Sequence, residues 1–239
     1  MARLERLNKY LAECGIASRR GADQVIVDGR VKINGKVVDE LGAKVNIYND
    51  TVMVDDIICK PNKKLVVIMF NKPKGCVTTT NDEKGRKTVF DYIDITSPRL
   101  FPIGRLDYDS EGLLLLTNDG ELANKITHPS FEITKTYLVK VKGEMPEHKL
   151  AQLRKGVMVD GSLTKRSKVK LLEYKDGISR VEVTISEGRN RQVRKMFEAV
   201  EREVIFLKRV AVGDLRLGGL SRGGYRYLNE YEMEYLKNL

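Results

Sequence analysis

The sequence predicts an α+β fold in two parts: a small N-terminal module of two helices and a short hairpin, then a larger domain with a mixed, mainly antiparallel central sheet. Three observations predict it. Apolar residues recur at helical spacing twice near the N-terminus, Asn34-Gly35 then separates two β-rich triplets, and beyond residue 65 β-rich runs mix with short helical stretches in few strict β-α-β repeats. At 239 residues the chain fits one large domain or a small one joined to a large one. With 41% apolar and 32% charged residues it can bury a sizeable core.

Taken in order, residues 3–13 place Leu4, Leu7 and Leu11 at helical spacing, with Arg3, Arg6 and Lys9 outside the stripe. After Cys14-Gly15, Ser18 is a good N-cap for a second helix whose apolar face is Ala22, Val25 and Ile26; Gly21 weakens it. VKINGKVV reads as a tight hairpin and TVMVDDII as one strand. Lys60-Pro61-Asn62-Lys63-Lys64 reads as a linker, which gives domains at 1–58 and 65–239 joined by 59–64. A second domain opens with LVVIMF. TYLVKV puts Tyr137, Val139 and Val141 on one strand face, and RVEVTIS alternates Val181, Val183 and Ile185 with Glu182 and Thr184. Helices are predicted at GELANKIT, at PEHKLAQLRKG between Pro146 and Gly156, at NRQVRKMFEAV, and at NEYEMEYLKNL with an Asn229 cap and Glu232 three residues on.

Lys+Arg 43 against Asp+Glu 33 leaves +10, a balance that points to an anionic partner, most often nucleic acid. The excess is local: residues 1–22 hold five basic and two acidic residues, residues 23–60 five and seven. Cys14, Cys59 and Cys76 are scattered and His128 and His148 are the only histidines, which argues against a disulfide framework or a zinc site. With no apolar leader and no run approaching the roughly 18 residues of a membrane span, a cytoplasmic protein is expected.

Asp107, Asp109 and Glu111 ahead of Gly112 mimic the start of a calcium loop, but the twelfth position is Asn118 and LLLLT reads as a buried strand. On composition alone the stretch is an acidic turn before a core strand. Gly219 to Gly223 matches G-x-S-x-G, yet both histidines precede it, so GGLSRGG reads as a loop between strands. No phosphate-cradling or dinucleotide glycine motif occurs. In NRQVRKMFEAV, at about 100° per residue, Val193, Met196, Phe197 and Val200 form the buried stripe and Arg194 lies at its border, free to aim its guanidinium into a cleft. Arg189 and Arg191 sit at the expected helix N-terminus, where phosphate oxygens are favoured.

The order of helix, S-R-R helix and NG hairpin over residues 1–58 resembles the S4 domain, an RNA-binding module. N-K-P-K-G (71–75), G-R-L-D (104–107), EGLLLLTNDGELANKITHP, K-T-Y (135–137) and EGRNRQVRKMF (187–197) resemble, in order and spacing, the RsuA/RluB-type ribosomal RNA pseudouridine synthases. The resemblance implies an α+β catalytic domain with an RNA cleft and isomerisation of a ribosomal uridine without cofactor or metal. It assigns Asp107 as the catalytic carboxylate, Tyr137 as the ring that stacks on the base, Arg194 as the aspartate's partner and Arg105 as a group holding the extruded RNA. TNDGELANKITHP looks more like the large-subunit branch, so 23S rRNA, free or in a precursor particle, is the expected partner of a monomer.

RNA contacts are expected from Arg6, Lys9, Ser18, Arg19, Arg20, Lys72, Lys74, Arg189, Asn190, Arg191 and Gln192. The chemistry suits these residue types. Breaking the bond from uracil N1 to ribose and rejoining through C5 needs no redox partner; a carboxylate can act as nucleophile or base, and a guanidinium keeps it ionised away from water. Extrusion of the base costs a few kcal/mol, offset by stacking. The competing expectations are 16S rRNA as substrate and a non-catalytic S4-type assembly factor. Methyl transfer lacks a glycine-rich donor loop.

Overall fold

The computed structural model describes residues 3–61, 64–95 and 98–239. The chain divides into two compact units, residues 1–66 with 95–99 and residues 67–94 with 100–239.

In chain order the first unit holds β1 (Leu4–Arg6), α1 (Leu7–Glu13), α2 (Arg19–Val27), β2 (Val31–Ile33), β3 (Lys36–Val37), β4 (Lys44–Asn46), β5 (Val52–Val54) and β6 (Ile57–Ile58). Leu7, Leu11, Ala22 and Ile26 carry the helical faces into a core with Val31, Val45, Val52 and Val54, each core side chain contributing roughly 1.5–3 kcal/mol. Ser18 caps α2 by accepting from the Gly21 amide at 3.0 Å. Two expectations are corrected. Leu4 lies in a strand paired with Asn46 and is exposed, so the first helix starts at Leu7. TVMVDDII is two strands, because Asp55 and Asp56 adopt left-handed φ (49° and 64°) and fold β6 back on β5; Arg30 and Lys32 hold the two aspartates. The NG hairpin forms between β2 and β3 with φ 51° at Asn34 and 80° at Gly35.

The second unit holds β7 (Val67–Lys72), β8 (Phe101–Ile103), β9 (Glu111–Thr117), α3 (Gly120–Thr127), β10 (Lys135–Lys142), α4 (Glu147–Lys155), β11 (Met158–Val159), β12 (Ser162–Leu163), β13 (Lys168–Lys175), β14 (Ile178–Ile185), α5 (Gln192–Glu198), β15 (Val204–Val212), β16 (Leu215–Arg216), β17 (Tyr225–Tyr227) and α6 (Glu230–Lys237). The sheet runs β13-β14-β10-β15-β9-β7-β17, with β8 on β9 and β16 on β15; among the described pairings within it only β9 with β15 is parallel. Inward residues of β10 and β14, Val139, Val141, Val181, Val183 and Ile185, pack under α4 and α5. The α5 stripe of Val193, Met196 and Phe197, with Val200 just beyond, is buried as its periodicity requires. Asn229 and Glu232 form the capping box of α6.

The parallel pairing brings β9 and β15 very close at one point. Gly112 (φ +110°) lies opposite Arg209, and a Cβ there would stand 2.1 Å from the Arg209 carbonyl oxygen. Gly112→Ala should therefore cost about 3 kcal/mol through backbone clash and left-handed strain. Urea unfolding checks this: the midpoint drops with an unchanged slope, and an unshifted midpoint would refute the close crossing.

Candidate active site

Asp107 sits on the loop Gly104–Ser110 between β8 and β9, and the loop's conformation is fixed carbonyl by carbonyl. Arg209 Nη1 donates to the Arg105 carbonyl (3.4 Å), Thr78 Oγ1 to Leu106 (2.8 Å), Lys72 Nζ and the Ser110 amide to Asp107 (3.0 and 3.1 Å), the Gly75 amide to Tyr108 (3.0 Å), Arg194 Nη2 to Asp109 (3.0 Å) and Lys72 Nζ to Ser110 (3.0 Å). Three of those donors are cations on β7, α5 and β15. With its backbone anchored inward, the loop presents the Asp107 side chain, 32% exposed, to solvent.

That side chain lines a cleft of about 430 Å³ shared with Arg105, Tyr137, Asn190, Arg191, Lys135 and Arg209. Tyr137 enters from β10, where it faces Val183 on one side and Arg209 on the other and packs on the core. Arg105 and Asn190 are exposed along the rim. The four residues expected at the centre thus divide: Asp107, Tyr137 and Arg105 converge on one cleft, and Arg194 stands behind it, paired elsewhere.

The expected Arg194–Asp107 ion pair is not formed here. Arg194 Nη2 lies 3.2 Å from the Asp109 carboxylate, and Arg191 grips the same carboxylate with two 3.0 Å hydrogen bonds. Asp107 has Arg191 Nη1 at 4.0 Å. The reason is reach: Arg194 is anchored from β15 through the Val204 carbonyl and meets Asp109 first. Burial raises the Asp109 pKa, but the Arg191 hydrogen bond and the charges of Arg194 and Arg191 outweigh it and hold the carboxyl below its ordinary value. Burial lowers the Arg194 pKa, reinforced by Arg191 and opposed by Asp109 and Asp107. The acidic turn therefore feeds arginines, and Glu111 joins it by pairing with Arg222 at 3.0 Å in the Gly219–Gly224 loop.

Several expected RNA contacts are structural instead. Lys72 is fully buried, its ammonium bonded to the Pro73, Asp107 and Ser110 carbonyls, and burial pulls its pKa below the ordinary lysine value. Arg189 spends its guanidinium on the Ser162 and Leu163 carbonyls of the β11-β12 hairpin. Gln192 is buried, accepting from the Arg189 amide at 2.9 Å and donating to Glu187. Ser18 is occupied as a cap, and Lys9 on α1 bridges Glu5 of β1 and Glu13 at the end of the helix. Arg191, in the left-handed region at φ 51°, is committed to Asp109, and α5 with seven residues offers no separate phosphate site. Arg6, Arg19 and Arg20 are exposed with no ion pair among the described residues, and exposed Lys74 lies 5.3 Å from the Phe206 ring centroid. Sequence reasoning overlooked Asp109 as an arginine anchor, and Lys135 and Arg209 altogether. The signal for Arg209 was present, since a charge replaces an apolar residue between inward Leu207 and Ala211.

Lys72→Met removes the ammonium's three hydrogen bonds, leaving the Ser110 carbonyl without that donor while Asp107 keeps the Ser110 amide and Pro73 the Cys76 thiol. It should cost about 3 kcal/mol of unfolding free energy, less than the sum of the lost bonds because a desolvated charge also disappears. RNA affinity of the folded variant should stay within about threefold of wild type; a loss of about tenfold or more would return Lys72 to the phosphate contacts.

The geometry has close relatives. The sequence model of RNA pseudouridylate synthases matches residues 66–199, and that of the S4 domain residues 5–52. The chain is 47% identical to the ribosomal large subunit pseudouridine synthase B of Bacillus subtilis (strain 168), over 99% of this chain and 97% of that one. It is 39% identical to the protein of the same name from Vibrio vulnificus (strain CMCP6), over 98% and 75%. A solved structure, "Crystal structure of pseudouridylate synthase", superposes with a TM-score of 0.70 at 35% identity, over 97% of this chain and 99% of that one. With an S4 domain ahead of a sheet whose β8–β9 loop is clamped under a carboxylate-bearing cleft, this chain belongs to the family of RNA pseudouridylate synthases, which are isomerases.

Proposed function

We propose that the enzyme isomerises one uridine of 23S ribosomal RNA to pseudouridine. The RNA docks on an S4 module (1–58), which a linker (59–64) joins to a catalytic domain (65–239). The observation that carries the reading is the convergence of Asp107, on a loop with every carbonyl from 105 to 110 held, with Tyr137 and Arg105 in one cleft. The large-subunit names of the relatives from Bacillus and Vibrio support 23S over 16S as the substrate.

In this reading the target base is extruded at a cost of a few kcal/mol and stacks on Tyr137. Arg105 at the rim holds the displaced strand. Asp107 attacks the sugar or the ring as a carboxylate, with Arg191 beside it and Arg194 one carboxylate away, so that its negative charge is matched inside the cleft. Substrate entry gives Arg194 the occasion to exchange Asp109 for Asp107. The enzyme acts as a monomer on free RNA or on a precursor particle.

Asp107→Asn should bind the substrate RNA within about threefold of wild type and form pseudouridine at least about 10⁴-fold more slowly, the scale on which loss of a covalent group is felt. Retained turnover would remove Asp107 from the mechanism. Mapping pseudouridine across both rRNAs in cells with and without the gene should show one site vanish from 23S RNA. A missing 16S site would reassign the substrate, and no missing site would leave a passive RNA-binding factor.

The free arginines of the first unit should set affinity. Arg19→Ala with Arg20→Ala removes two phosphate contacts and should flatten the slope of log affinity against log salt by about 1.5. An unchanged slope would take those residues off the RNA.

A further inference from the structure

Lys135 and Arg209 are two cations in the floor of the cleft that no carboxylate neutralises among the described residues. Lys135 is two residues from Tyr137 on β10, so both project from the same sheet face, and Arg209 on β15 is the register partner of Tyr137. All three line the cavity that holds Asp107. Arg209 is 6% exposed; Nε donates to the Leu113 carbonyl (2.7 Å) and Nη1 to the Arg105 carbonyl, while Nη2 makes no hydrogen bond among the described residues. The Lys135 ammonium has no hydrogen-bond partner among the described residues either. Burial, and then the neighbouring Arg209 charge, depress the Lys135 pKa. Two adjacent, partly desolvated like charges destabilise the fold, so their retention points to a negative charge that arrives with the substrate.

Position says where that charge arises. The pair lies at the depth of the stacking tyrosine rather than at the rim, where a phosphodiester would pass. Building on the reading of Asp107 and Tyr137 given above, we infer that Lys135 and Arg209 form an electrophilic floor that stabilises negative charge on the detached uracil ring. When the N1–C1′ bond breaks, its electron pair stays on the base and spreads over N1, O2, O4 and C5. C5 then bonds to C1′, and any bond that Asp107 made to C1′ as N1 left breaks with its pair returning to the carboxylate; the C5 proton leaves to solvent and N1 takes up a proton, so atoms and charge balance. If Asp107 adds to C6 of the ring instead, the displaced C5–C6 pair resides on C5 and O4 until the bond from C6 to Asp107 breaks again. In either route the charge develops where two fixed cations already wait, without reorganisation.

The test uses full-length enzyme and an rRNA transcript carrying uridine tritiated at C5, whose release to water reports the C5–C1′ coupling. Under single-turnover, saturating conditions Lys135→Met should be about 100-fold slower, the scale for losing one preorganised donor. RNA affinity should stay within threefold and the melting temperature should be equal or higher, because an unpaired buried charge is gone. Lys135→Arg should recover at least tenfold over the methionine variant. The inference is overturned if the saturated rate of Lys135→Met equals wild type, if the whole defect is weaker binding, as a phosphate contact would give, or if arginine is as poor as methionine. Asp107→Asn assayed in parallel separates the two readings: turnover there overturns the catalytic assignment of the cleft, whatever the Lys135 variants do.

Discussion

The immobilisation of the Arg105–Ser110 backbone by donors from elsewhere in the fold is the constraint on which the site rests. Each carbonyl of the segment accepts a hydrogen bond, and Lys72, Arg194 and Arg209 supply bonds to four of them. Neutral donors would close the same geometry. Cations do something more, because a bond from a charged donor is about twice as strong and its charge lies beneath the carboxylate that the loop carries. The loop is irregular and outside any ladder, so without these donors its carbonyls would need water or would be orphaned in a largely buried setting. The sheet supplies the rigidity: Lys72 ends β7, Arg209 lies where β15 crosses β9, and Arg194 stands on α5, which is pinned by Val193, Met196 and Phe197.

The same arrangement explains why the central ion pair differs from its expected partner. Asp109 is both the carboxylate that Arg191 and Arg194 share and the residue whose carbonyl Arg194 holds. Those contacts leave the Asp107 side chain without a hydrogen bond among the described residues, with Arg191 Nη1 at 4.0 Å. A nucleophilic carboxylate locked in a bidentate pair would have to break it before attacking. In the proposed reaction, a neighbouring carboxylate that takes up the arginines leaves Asp107 oriented by its backbone and accessible.

Much of the fold was legible because local rules decided it. The Asn34-Gly35 hairpin, the Ser18 cap, the Asn229–Glu232 box and the stripe on α5 depend on residues within a turn or two of one another, and all formed as their patterns require. The misread segments were those in which distant structure overrode a local pattern. Leu4 fits a helical stripe but is taken by pairing with Asn46, and TVMVDDII fits a strand but folds at two aspartates that Arg30 and Lys32 stabilise from β2 and its approach. Within the site, it was the family resemblance rather than residue spacing that pointed to Asp107, Tyr137 and Arg105, and all three line one cleft. What spacing could not say is where a long cationic side chain points. Lys72, Arg189 and Gln192 carry phosphate-binding chemistry in the sequence and structural hydrogen bonds in the fold.

The +10 charge therefore divides into cations with different physical duties. Arg6, Arg19, Arg20 and Lys74 are exposed and without ion pairs among the described residues, and in the proposed function they trade counterions for phosphates, which makes them a source of affinity that salt can erase. Lys72, Arg189, Arg191 and Arg194 are committed to carbonyls and carboxylates; salt reaches the enclosed Lys72 and Arg194 little, whereas the exposed Arg191–Asp109 pair stays open to screening. Lys135 and Arg209 differ from both sets: they are largely enclosed, and although Arg209 also holds two carbonyls, no carboxylate among the described residues neutralises either charge. An enclosed, unneutralised charge is an expense in the resting protein and becomes favourable only when an anion forms against it. Such a pair contributes to the difference between bound substrate and transition state rather than to binding itself, which is the only place where an interaction can accelerate the chemical step.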